Sequence, residues 1–150
     1  VPAAFPADLV VEIDPHPSAP AAARRELRVL LGAGAGLRPD LVRDVLVVGS
    51  ELVTNALVHA GGRSTLAAWA SPAQSWVRLE VADTSRQLPR IHHQAPARVR
   101  GWGLPLVMRL VSRWGVETRA GGKSVWCELQ RPDRAGSAAE HGGHGAAVHA

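Results

Sequence analysis

The sequence predicts an α/β domain, a two-layer sandwich with helices on one face of a mixed, mainly antiparallel sheet. Three observations predict it. Residues 39–60 (PDLVRDVLVVGSELVTNALVHA) repeat apolar side chains at three- and four-residue intervals, the period of an amphipathic helix. In residues 76–82 (WVRLEVA), Val77, Leu79 and Val81 alternate with Arg78 and Glu80, the period of a half-buried strand. Strand-like runs at 63–70 and 76–82, and again at 115–119 and 124–130, are joined by short turn-rich connections that read as hairpins. A chain of 150 residues is long enough to enclose one core.

Taken in order, residues 1–8 begin Pro/Ala-rich and are expected to fray. The domain itself is expected over 9–130, starting with a short β-branched strand at 9–13 (LVVEI). Three prolines within 14–20 make a turn into a helix at 21–31, whose leucines face one way and arginines the other. Glycines at 32–36 end that helix. Pro39 and Asp40 open the long helix, proline in the first turn and an acid at the positive end of the dipole. Gly61 and Gly62 close it. The two hairpins follow, separated by residues 84–100 and by an apolar helix over 101–111 with Pro105 in its first turn. Residues 84–100 form too long a connection for a simple turn and read as a binding loop or lid. Residues 131–150 are Gly/Ala/His-rich without apolar pattern and are expected to be disordered.

Composition narrows the class. The single cysteine, Cys127, rules out an internal disulfide framework and a multi-cysteine zinc site. No apolar run approaches 18 residues and no signal-peptide pattern is seen, so a cytoplasmic protein with no membrane span is expected. The net charge of +4 is carried by sixteen arginines and one lysine spread over much of the chain. That spread does not suggest direct nucleic-acid binding, which gathers positive charge on one face or tail.

The chemistry concentrates on the long helix. Glu51, Asn55 and His59 lie four apart and form one polar stripe, which Asp44 extends towards the helix start. A carboxylate, a carboxamide and an imidazole on a mostly apolar helix suit one wall of a polar pocket. The plainer reading is a core helix with a narrow wet edge. Downstream, Asp83 ends a strand, and Gly101-Trp102-Gly103 opens a helix, where backbone N–H groups can receive phosphate. Gly122-Lys123-Ser124 imitates the end of a P-loop, but Glu117 stands where the first glycine is needed and a strand follows. A metalloprotease motif fails too, since HExxH needs two histidines on one turn.

The order ELVTNALVHA, a strand ending in VAD, a long loop, GWGL opening a helix, then GGKSVWCEL resembles the Bergerat-fold ATPases, the superfamily of gyrase, Hsp90, histidine kinases and MutL. The resemblance covers about residues 9–130 and is nearest to the small anti-sigma-factor serine/threonine kinases and related regulatory ATP-binding proteins. It implies a Bergerat fold holding ATP or ADP with Mg²⁺. Asn55 matches the metal-holding asparagine, and Glu51 the acid that serves as general base. Asp83 matches the acid that accepts the adenine amino group. Gly101 and Gly103, with Trp102 between them and Leu104 and Arg100 on either side, match the second glycine box at the phosphates. Lys123 and Ser124 match a polar pair on the last hairpin, and His59 lies one turn beyond Asn55. The partners implied are a sigma factor and an antagonist protein phosphorylated on serine; a homodimer is compatible with the resemblance. No histidine-bearing helix pair precedes the domain, so a complete sensor histidine kinase is not expected.

Two departures stand out. The first glycine box, roughly D-x-G-x-G in the superfamily, here runs from Asp83 through Ser85 to Pro89 with no glycine, a D-x-S-x-x-x-P form shared by some small regulatory relatives. Trp102 occupies a position where relatives often carry arginine, a charge that Arg98 or Arg100 could supply. Three functions stay open at this point. They are a kinase, a nucleotide-sensing module that holds a partner without transferring phosphate, and a phosphate- or nucleic-acid-binding domain without ATP chemistry.

Overall fold

A computed structural model describes residues 6–33, 36–86, 103–131 and 147–149. In chain order the elements are β1 (Leu9–Ile13), α1 (Ala19–Ala33), α2 (Pro39–Ala60), β2 (Ser64–Ser71), β3 (Trp76–Asp83), α3 (Gly103–Leu110), β4 (Arg113–Arg119), β5 (Gly122–Gln130) and β6 (Ala147–His149). The sheet order is β1-β2-β3-β5-β4-β6. All neighbours are antiparallel except β4 and β6, which run parallel. The fold is the mixed, mainly antiparallel two-layer α+β sandwich that the sequence predicts.

Strand alternation sorts the residues between two faces. Leu66, Ala68, Val77, Leu79, Val81, Cys127 and Leu129 point to the helical side and are buried there with Leu41, Val45, Val48, Leu52 and Val53 of α2 and Ala23 and Leu27 of α1. Helix α2 lies across β2, β3 and β5, with α1 beside it. Gly49 permits that closeness, because a Cβ there would stand 2.5 Å from Leu27 Cδ1. Gly61, in the left-handed region at φ 61°, ends α2 as its sequence position suggests.

The opposite sheet face carries no described helix, and its centre is nevertheless closed. Arg78 lies there with its side chain 3% exposed, donating to Glu128 Oε1 at 3.0 Å and to Glu80 Oε2 at 3.5 Å. Its guanidinium carbon lies 4.3 Å from the Trp126 ring centroid and 5.9 Å from that of Trp69. Arg119 joins Glu80 at 2.9 Å. A buried arginine is tolerable because carboxylates and aromatic faces replace the water it has lost.

Several boundaries differ from the expected ones. Helix α1 starts at Ala19 and ends at Ala33, β5 begins at Gly122 and β4 at Arg113. Asp8 was expected to fray, yet its N–H donates to the Ala68 carbonyl and its carboxylate accepts from the Ala70 N–H. Within the tail expected to be disordered, Ala147–His149 form β6 beside β4. The rest of 132–150 lies outside the described residues, as do residues 1–5 and the loop from 87 onward. Among the described residues no helix is long and apolar enough to cross a membrane.

Candidate functional site

A cleft opens between the C-terminal half of α2 and the ends of β3 and β5. Leu52, Asn55, Ala56 and His59 form its helical wall, and Val81, Asp83, Lys123 and Val125 its floor. This floor follows from register. Asp83 pairs with Lys123 and Val81 with Val125 across β3 and β5, so all four side chains emerge on the helical face. The apolar residues can hold a flat ring, while the polar ones converge at the strand ends.

Asp83 and Lys123 are in direct contact, Nζ donating to Oδ1 at 2.8 Å, with side chains 2% and 3% exposed. The Ser85 N–H turns back onto the same oxygen at 2.8 Å, an Asx-type turn that starts the loop. Gly122 makes this pairing sterically feasible. At φ 156° it passes directly over the Asp83 carbonyl, where a Cβ would collide with Asp83 and Thr84 backbone.

Asn55 projects into the cleft, and among the described residues its buried Nδ2 has no hydrogen-bond partner. A buried amide without a partner costs free energy, which a ligand at this position would offset. Turned one way the carboxamide donates to a phosphate oxygen; flipped, it offers Oδ1 to a cation. Mg²⁺ takes few protein ligands beside phosphate oxygens and water, so the Asn55 carboxamide oxygen could serve as one of them. No group of three or more His, Cys, Asp or Glu side chains among the described residues is placed to hold a metal without such help.

The other expected site residues separate. Glu51 is buried one turn before Asn55 but does not bound the cleft itself. His59 lies exposed at the mouth. Asp44, the extension of the polar stripe, turns instead to Arg131, whose Nη2 donates to it at 2.6 Å and to the Leu110 carbonyl at 3.0 Å. That contact joins α2 to the ends of α3 and β5 and is structural.

Ser124 does not belong to the cleft. Next to Lys123 on a strand, it must face the other way, where its fully buried Oγ donates to Glu80 Oε1 at 2.5 Å. Its place is in the ionic cluster behind the site, clamping the strand that carries Lys123. Gly103 and Leu104 lie in the first turn of α3. Pro89, Arg98, Arg100, Gly101 and Trp102 lie outside the described residues. The sequence had not marked Gly122 or the apolar walls Leu52, Ala56, Val81 and Val125 as site residues. Strand alternation towards Asp83 was the signal for Val81, and alternation from Lys123 the signal for Val125.

The family model for the histidine kinase-like ATPase domain matches residues 13–129. Among solved structures, the RsbU and RsbW domains of Rv1364c from Mycobacterium tuberculosis superpose with a TM-score of 0.61 at 26% sequence identity. The match takes in 87% of this chain and only 34% of that one. No curated protein matches.

Proposed function

The chain belongs to the histidine kinase-like ATPase domain family, and on that premise we propose that it is an anti-sigma-factor-like serine/threonine kinase. Membership implies nucleotide binding. In the proposed reading ATP with Mg²⁺ occupies the cleft, the protein holds a sigma factor, and a serine of an antagonist protein receives the phosphoryl group. The observation that carries it is the Asn55 amide, without a hydrogen-bond partner among the described residues, on a cleft whose floor ends in a buried carboxylate. The adenine lies between the apolar walls with its amino group towards Asp83, and the phosphates run along α2 past Asn55. Mg²⁺ would supply charge neutralisation at the phosphates. Glu51, one turn before Asn55, takes the proton from the serine hydroxyl as its oxygen attacks the γ-phosphorus and the bond to ADP breaks.

A second reading, a nucleotide-sensing module without transfer, is favoured by one feature of the loop. The Ser85 N–H is spent on Asp83 and is not aimed at a ligand, where the superfamily has a glycine path. Labelled ATP, Mg²⁺ and candidate antagonist proteins separate the two. The kinase reading expects transfer to serine by the wild type, and in Glu51→Gln a loss of about 10²–10⁴ in rate with ATP binding retained. Wild-type protein that binds ATP but neither hydrolyses nor transfers it is the sensor.

A further inference from the structure

The geometry points to Lys123 as a second base-reading residue, one that donates to ring nitrogen N1 of adenine while Asp83 accepts from the 6-amino group. This rests on the nucleotide reading of the cleft. Lys123 is the one lysine in the sequence, and lysine is among the residues least often buried. Here its side chain is 3% exposed, on the floor of the cleft, with Nζ held 2.8 Å from Asp83 Oδ1. A pairing role alone would be met by a carboxylate and lysine on any strand pair away from a cavity. On the cleft floor, the ammonium has three N–H donors, and Asp83 uses only one of them.

The pair therefore presents a donor and an acceptor one hydrogen bond apart, matching two adjacent positions on a base edge. Adenine offers the complement in the same order, an acceptor at N1 and a donor at the 6-amino group. Guanine carries N1–H and O6, the reverse order, and meets the pair only by sliding along the edge so that Lys123 takes O6. A comparison of ATP with GTP is thus a weaker probe of Lys123 than removal of one ring nitrogen.

The test is calorimetric titration of the full chain, with Mg²⁺, by ATP, by 1-deazaadenosine triphosphate, which has C–H in place of N1, and by purine riboside triphosphate, which lacks the amino group. The wild type is expected to bind the 1-deaza analogue roughly tenfold to a hundredfold more weakly than ATP, the worth of a hydrogen bond to a charged group. In Lys123→Met that difference should vanish, while the difference between ATP and purine riboside triphosphate, which reports on Asp83, should persist. If wild-type protein binds ATP and its 1-deaza analogue equally, or the difference survives in Lys123→Met, the inference is overturned and the nucleotide reading stands. If no nucleotide binds, both fall. Should Lys123→Met not fold, lysine-selective isotope labelling of the wild type gives one side-chain signal with no mutation needed. That signal should move differently with ATP and with the 1-deaza analogue, and identical movement overturns the inference.

Discussion

The Asp83–Lys123 pair is expected to hold the fold as well as to face the ligand, and charge removal tests this without any nucleotide. The contact is 2.8 Å and both side chains are almost wholly buried. Removing one member of a buried pair costs about 3–5 kcal/mol, because the other charge is left without its partner. Asp83→Asn keeps the shape and one carbonyl acceptor, so its cost should fall near the lower end, about 3 kcal/mol. Lys123→Met leaves a buried carboxylate whose described contact is the Ser85 N–H, and should cost at least as much. The double variant removes both charges and should be far more stable than the sum of the single losses predicts, by about 1.5–3 kcal/mol. Urea unfolding followed by tryptophan fluorescence supplies the four stabilities; for an m-value of about 1–3 kcal/mol/M, a 3 kcal/mol loss moves the midpoint by roughly 1–3 M. Single variants within about 0.5 kcal/mol of wild type, with additive effects, would refute this account of the pair.

Other expectations follow from neighbouring groups. Asn55→Ala should abolish Mg²⁺-dependent ATP binding, measured by calorimetry with and without the metal, and should leave stability unchanged or raised because it removes a buried amide that has no partner among the described residues. Gly122→Ala should destabilise by more than 1 kcal/mol and weaken ATP, since the new methyl group forces β5 off the Asp83 backbone; a variant with native melting and affinity would contradict the close approach. Burial pushes the Cys127 thiol from 9.0 up to about 12. Above pH 9 the unfolded chain gives up a proton that the folded one keeps, so this group removes about 1.4 kcal/mol of stability per pH unit up to pH 12. In Cys127→Ala that part of the alkaline slope should disappear, as pH-dependent denaturation would show.

The long helix was legible because its period is that of 3.6 residues per turn, and its polar stripe because so few polar residues interrupt it. Glu51 and Asn55 owe their visibility to that contrast. Asp83 was legible as the acid at the end of an alternating strand. The pairing of Lys123 with Asp83 was not, because it depends on which strands are neighbours and in what register; the sequence separates the two residues by a loop, a helix and another strand. Ser124 adjoins Lys123 in sequence yet faces Glu80 on the other side of the sheet. A motif treats adjacent letters as a unit, whereas a strand sends them to opposite faces. Asp44 shares the helical stripe but meets Arg131, whose position is set by the end of β5 and cannot be read from α2. Three residues of β6 carry no pattern that separates them from their Gly/Ala/His-rich surroundings.

A backbone and side-chain NMR titration with ATP and Mg²⁺ reports whether nucleotide occupies the α2–β3–β5 cleft. Saturable shifts should be largest at Asn55, His59, Asp83 and Lys123, which border the cleft, and absent at Arg113, Glu117 and Glu128 on the opposite sheet face. The absence of saturable change, or changes confined to that opposite face, would contradict the account.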